Sequence, residues 1–133
     1  MATDLLFGDL TYKLRSAIFK VYNTLGFGHK EVVYCRALAI EFLKEGIKFK
    51  PEQAIDVLYD NQKIGIYRPD FVIDSKILLE IKALPFMGKD PETQMIYYLK
   101  GTNYRLGLLV NFGSNKLDIR RKIWSGSVKI KSA

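Results

Sequence analysis

Apolar residues recur at Leu10, Leu14, Ala17, Ile18, Val21 and Leu25, the spacing of one helical face, and predict a helix from about Asp9 to Leu25. Gly26 and Gly28 end it and turn the chain. A second helix is expected from about Lys30 to Glu45, with Tyr34, Cys35, Leu38 and Phe42 on one face and Gly46 as its stop. The pattern then shortens to that of strands. Gln53 to Tyr59 and Lys63 to Ile73, joined at Asp60-Asn61-Gln62, lead into Ile77 to Lys82 as the third strand of a meander. Pro85 breaks that strand. Asp90-Pro91-Glu92 reads as a helix start, with Asp90 as N-cap, Pro91 at the first helical position and Gly101 closing the helix after Lys100. Leu106 to Phe112 is a nearly unbroken apolar run, as a strand covered on both faces would be. Strand, helix, strand in that order implies a right-handed crossover and a parallel pair, so an α/β fold with a mixed sheet and helices packed on it is expected.

The most informative stretch is Tyr67 to Lys82, where two apolar runs flank the polar break Asp74-Ser75-Lys76. A turn centred on Ser75 places Ile73 opposite Ile77, Val72 opposite Leu78, Phe71 opposite Leu79 and Asp70 opposite Glu80. Strand side chains alternate between faces, so Glu80 and Lys82 share one face and Ile81 takes the other. Two carboxylates directly opposite each other repel. A positive group is therefore expected beside them, either Lys82 or a divalent cation, since hard cations take oxygen ligands from one or two carboxylates. The bland alternative is a solvated strand face on which Asp70 pairs with Arg68 or Lys82.

Composition narrows the function classes. The chain has 133 residues, is 48% hydrophobic and 26% charged, and reads as one globular domain, 1–133, without repeats or linkers. With 21 basic and 14 acidic residues its formal net charge is +7, which favours a polyanionic partner, nucleic acid or an acidic surface. Between Lys116 and Lys131, six basic residues face one acid, Asp118, a local excess of +5. Arg120, Arg121 and Lys122 in that tail could line a phosphate path with Trp124 available for stacking. Equally, the lysines could be a solvated surface and Trp124 a pin to the core. A single cysteine, Cys35, excludes an internal disulfide and suits a reducing compartment. No apolar run approaches membrane-spanning length and the start lacks a signal-peptide pattern, so a soluble cytoplasmic protein is expected.

Pro69-Asp70 followed by Glu80-Ile81-Lys82 resembles the PD-(D/E)XK nuclease signature. Gly28-His29-Lys30-Glu31-Val32-Val33-Tyr34 resembles the Gly-x-x-Glu-x-x-Tyr pattern of the GxxExxY proteins, a branch of that superfamily. Gln94 and Tyr98, four apart, resemble the helix motif of its RecB-like members. The resemblance runs from about Gly28 to Asn111 and implies a restriction-endonuclease-like mixed β-sheet flanked by α-helices. It also implies a metal-dependent nuclease with nucleic acid as partner, DNA rather than RNA, although nothing in the residues excludes RNA.

Under that resemblance Asp70 and Glu80 are metal ligands, the Ile81 backbone carbonyl is a further ligand, and Lys82 orients the attacking water or stabilises phosphate charge. Mg²⁺, or Mn²⁺, suits such an oxygen-rich site. Glu31 is assigned to its edge, as a direct ligand or through water; a carboxylate in a first helical turn also simply complements the dipole. Tyr34 is expected in the core with its hydroxyl on a site residue. Gln94 and Tyr98 stand beside the site, Gln94 near a helix N-terminus that welcomes phosphate. Two rivals stay open: a non-catalytic nucleic-acid-binding or partner-binding module on the same fold, and a subunit active only as a homodimer or with a partner protein.

Overall fold

The computed structural model describes residues 6–125. Lys129 and Lys131 of the basic tail lie outside the described residues. The chain runs α1 (Gly8–Leu25), α2 (Glu31–Lys44), β1 (Phe49–Pro51), β2 (Ile55–Tyr59), β3 (Gln62–Tyr67), β4 (Phe71–Ile73), β5 (Ile77–Lys82), α3 (Asp90–Gly101), β6 (Leu106–Asn111) and β7 (Asp118–Ile123). Five strands form one sheet in the order β1-β4-β5-β6-β7, and β2 and β3 form a separate ribbon. Only β5 and β6 are parallel, joined through α3 as the crossover argument expects. The result is the expected mixed α/β architecture, consistent with a restriction-endonuclease-like fold.

The β4–β5 hairpin has the register expected from a turn centred on Ser75: Phe71 faces Leu79, Val72 faces Leu78 and Ile73 faces Ile77. Asp74 and Ser75 both take left-handed backbone, the geometry of a primed hairpin turn, and the Lys76 N–H closes it onto the Ile73 carbonyl at 2.8 Å.

Alternation along the strands divides the interior into two cores. Ile73, Ile77, Leu79, Ile81, Leu108 and Val110 pack with Leu14, Ile18, Leu38 and Phe42 of α1 and α2. Val72 and Leu78 point the other way, onto Met95 and Leu99 of α3 and onto Tyr67. All of β6 is buried, which accounts for its unbroken apolar run.

Three expectations are corrected. The stretch Lys63 to Ile73 is two strands, Gln62–Tyr67 and Phe71–Ile73, because Pro69 offers no N–H to a ladder. The chain therefore leaves the ribbon at Tyr67 and enters the sheet at Phe71, and no three-strand meander forms. Asp90 is the first residue of α3 rather than its cap; Lys89 occupies the cap without a side-chain bond. The basic stretch after Lys116 is not a tail but contains β7, an edge strand antiparallel to β6. The three-residue β1 also escaped the pattern, being too short to show a period.

Beyond Lys82 the chain is clamped to the end of β6. The buried Asn111 side chain accepts from the Leu84 N–H at 2.8 Å and the Gly113 N–H at 3.1 Å, and donates to the Leu84 carbonyl at 2.9 Å. Gly113 lies so close to Leu84 that a Cβ there would stand 2.2 Å from the Leu84 nitrogen and 2.4 Å from its oxygen. Neither atom can move without breaking the clamp. Gly113→Ala should cost at least about 2 kcal/mol, the range of overpacking in a rigid site, read from urea unfolding. An unchanged midpoint would show that the clamp is loose.

Candidate active site

Asp70 stands just before β4 and Glu80 two residues from the end of β5, so the hairpin register brings their carboxylates together. Asp70 Oδ2 accepts from the Ile81 N–H at 2.6 Å. Glu80 Oε2 accepts from the Tyr67 hydroxyl, also at 2.6 Å. One oxygen of each carboxylate is thus anchored from the protein side. Burial pushes the Glu80 carboxyl up to about 7, against the Tyr67 hydrogen bond, with the charge and hydrogen-bonding contact of Asp70 adding to the rise. Lys82, half-buried, follows at the last position of β5. Ile81 between them packs into the α1/α2 core, so the alternation expected of Glu80-Ile81-Lys82 holds.

Tyr67 is the residue that sequence reasoning missed. It is 4% exposed, and burial followed by the Glu80 charge raises its hydroxyl far above the ordinary tyrosine range, so it serves as a fixed donor. Its ring stacks on Tyr98 of α3 at 3.5 Å between centroids and 9° between planes. Of the expected Gln94/Tyr98 face, Tyr98 is linked to Glu80 through an intermediary: Tyr98 stacks on Tyr67, and Tyr67 donates to Glu80. Gln94, one turn earlier on α3, is exposed. The available signal was an aromatic ending a strand three residues before Asp70, and it carries that meaning only once the ribbon is known to fold against α3.

Glu31 begins α2 and is exposed. The half-buried Cys35 thiol, one turn on, locates it: burial raises that thiol to about 12, helped by the negative charges of Asp70, Glu31, Glu80 and Glu52. The charges of these four carboxylates all act on the Cys35 thiol. Among the described residues, however, no three His, Cys, Asp or Glu side chains are gathered to hold a metal by themselves. The inner donor set is the Asp70–Glu80 pair. Such a pair suits Mg²⁺, which is bound by one or two carboxylates and keeps several waters.

Tyr34 is fully buried and stacks on Phe112 at 4.4 Å, but its hydroxyl does not meet a site residue. It donates to the Gly26 carbonyl at 2.6 Å and accepts from the His29 N–H at 3.2 Å. Gly26 and Gly28 both have positive φ, and Tyr34 ties down the turn they make, which sets where α2 begins and so where Glu31 stands.

The basic residues of β7 are engaged within the protein. Arg120 pairs with Asp118 and Glu92 and donates to the Met87 carbonyl at 2.7 Å and the Gly88 carbonyl at 2.8 Å. Lys122 pairs with the other oxygen of Glu92. Arg121 turns to the opposite side and donates to the Leu6 carbonyl at 2.8 Å. These three residues fasten the start of α3 and the first turns of the chain rather than forming a free basic path. Trp124 packs against the second core with the Lys100 ammonium 4.8 Å from its ring centroid, which favours the pinning role.

The class defined by fold and site is a mixed α/β domain whose central hairpin brings two carboxylates together ahead of a lysine, with helices packed on both faces of the sheet. A family model of the PD-(D/E)XK nuclease superfamily matches residues 8–122, and the chain belongs to that superfamily. Among curated proteins and among solved structures, no match to the chain is found. No helix among the described residues is long and apolar enough to cross a membrane.

The raised Glu80 carboxyl has a signed consequence. The folded protein keeps a proton that the unfolded chain releases, so stability is full below the ordinary glutamate range and falls as pH rises toward about 7. Without divalent metal, Glu80→Gln should remove that decline and stabilise the protein at pH 8 by about 2–3 kcal/mol. Chemical unfolding of both proteins at pH 5 and pH 8 measures this, and an equal pH slope in the two would contradict the buried carboxylate.

Proposed function

We propose that the chain is a metal-dependent nuclease that hydrolyses phosphodiester bonds, with DNA as the substrate that the GxxExxY and RecB-like resemblance favours, acting in the cytoplasm. The observation that carries the reading is the Asp70–Glu80 pair: two carboxylates forced together by strand register, each anchored through one oxygen. The carboxylates of Asp70 and Glu80, with the Ile81 carbonyl, would hold Mg²⁺ or Mn²⁺. When bound, that ion supplies an activated water and charge stabilisation at the phosphate.

Lys82, on the same strand face as Glu80, orients the attacking water or neutralises charge on the phosphate. Glu31 contributes from the edge through water. Tyr67 holds Glu80 in place and Tyr98 holds Tyr67, so the Tyr98 ring is a positioning group. Gln94 meets the nucleic-acid backbone near the N-terminus of α3. A second copy or a partner protein would supply specificity.

Glu80→Ala and Lys82→Ala should each abolish Mg²⁺-dependent cleavage of plasmid, linear duplex and single-stranded DNA, with circular dichroism unchanged. Metal-dependent cutting retained by both variants would overturn the mechanism. Tyr67→Phe, which keeps the stack on Tyr98 and removes only the donor to Glu80, should weaken Mn²⁺ binding by about 10- to 100-fold in calorimetry, the usual effect of losing a partner that orients a ligand. Unchanged affinity would remove Tyr67 from the site.

A further inference from the structure

The segment between β5 and α3 carries an exposed aromatic that neither the fold nor the proposed chemistry uses. Phe86 is 83% exposed, the highest value among the large hydrophobic residues described. A single exposed apolar side chain is ordinary on a protein surface. Phe86 differs in how it is presented. On one side Leu84 is clamped through both its N–H and its carbonyl to the buried Asn111 side chain. On the other, the Met87 and Gly88 carbonyls are both held by Arg120. The loop also buries the Met87 side chain at 4% exposure while leaving the larger Phe86 ring outside. Backbone anchored on both flanks, with the neighbouring apolar side chain inserted, presents the ring from a rigid base instead of letting it collapse onto the core.

Its position matters as much as its exposure. Asn111, which grips Leu84, is the direct strand neighbour of Lys82. Phe86 is two residues beyond that grip, and two residues of chain span at most about 7 Å. Phe86 follows Lys82 by four residues, so its backbone lies within about 14 Å of the end of β5. Lys89, three residues further on, is exposed and caps α3. An exposed aromatic with a lysine four residues before it and another three after it has the elements by which proteins hold single strands: cations follow the phosphates and rings stack on bases, regardless of which base is offered. A duplex keeps its base faces covered by stacking. An unpaired strand does not.

We propose that Phe86 is a stacking platform for a nucleobase of single-stranded nucleic acid next to the scissile phosphate, so that single strands, or frayed ends and flaps, are the preferred substrate. The inference deepens the nuclease reading and takes its location from it.

The test uses the full chain in EDTA, so that binding is read without cleavage. Single-stranded oligonucleotides carrying 2-aminopurine at successive positions, and the same labels in duplex, are titrated with wild type, Phe86→Ala and Phe86→Trp. Wild type should quench the label at one or two single-strand positions. Phe86→Ala should lose the quench and bind single strand about ten-fold more weakly, with duplex binding changed less than two-fold. Phe86→Trp should retain both properties. Wild-type binding and quenching in Phe86→Ala, or no single-strand binding by the wild type, overturns the assignment. So does unchanged nucleic-acid binding with a lower mass by light scattering, which would make Phe86 a protein contact. Quenching that persists while Mg²⁺ elicits no cleavage would sink the nuclease reading and leave the platform standing.

Discussion

The β4–β5 hairpin fixes two carboxyl groups where neither would choose to be. Each side of the turn is locked by buried residues, Phe71, Val72 and Ile73 against Ile77, Leu78 and Leu79. A slip of one residue would put each apolar side chain on the wrong face, so the register cannot relax to separate Asp70 from Glu80. The anchors reinforce the constraint: the Ile81 amide takes one Asp70 oxygen and the Tyr67 hydroxyl takes one from Glu80. Burial and the neighbouring carboxylate together hold Glu80 partly protonated near neutrality. A packed core thus maintains a local electrostatic conflict, and a hard cation is the simplest group to resolve it.

Around this centre, much of the polar structure keeps supports in place. Tyr98 supports Tyr67 from α3, and α3 is held at its first turn by Arg120 and Lys122 through Glu92. Arg120 and Asn111 between them fix the connection from β5 to α3. The positive charge of β7 therefore acts first as internal fastening. The basic excess of the chain is not by itself a map of where a polyanion binds.

How much of this could be read in the sequence depends on whether local pattern or tertiary contact decides. The hairpin register was legible because alternation and one polar break determine it, and the carboxylate pair followed. The parallel pairing of β5 and β6 was legible from element order and the apolar run at Leu106. β7 was not, because Arg120 and Lys122 face Glu92 while Arg121 faces Leu6, and an ion-paired strand has no apolar period to detect. The meander failed at Pro69. The Tyr34 hydroxyl went to the Gly26 turn instead of the site because its ring is stacked flat on Phe112. Tyr67 gave no sign of its role, since that role depends on a ribbon folding back over the third helix.

The most direct measurement is thermal unfolding at pH 8, with and without millimolar Mg²⁺. A ligand that binds only the folded state raises the midpoint in proportion to the logarithm of its concentration above Kd. The account predicts a midpoint that climbs with Mg²⁺ in the wild type and does not move in a protein lacking the Asp70 and Glu80 carboxylates. A midpoint indifferent to Mg²⁺ and Mn²⁺ in the wild type would contradict it, and would mean that the carboxylate pair is stabilised by something other than a divalent cation.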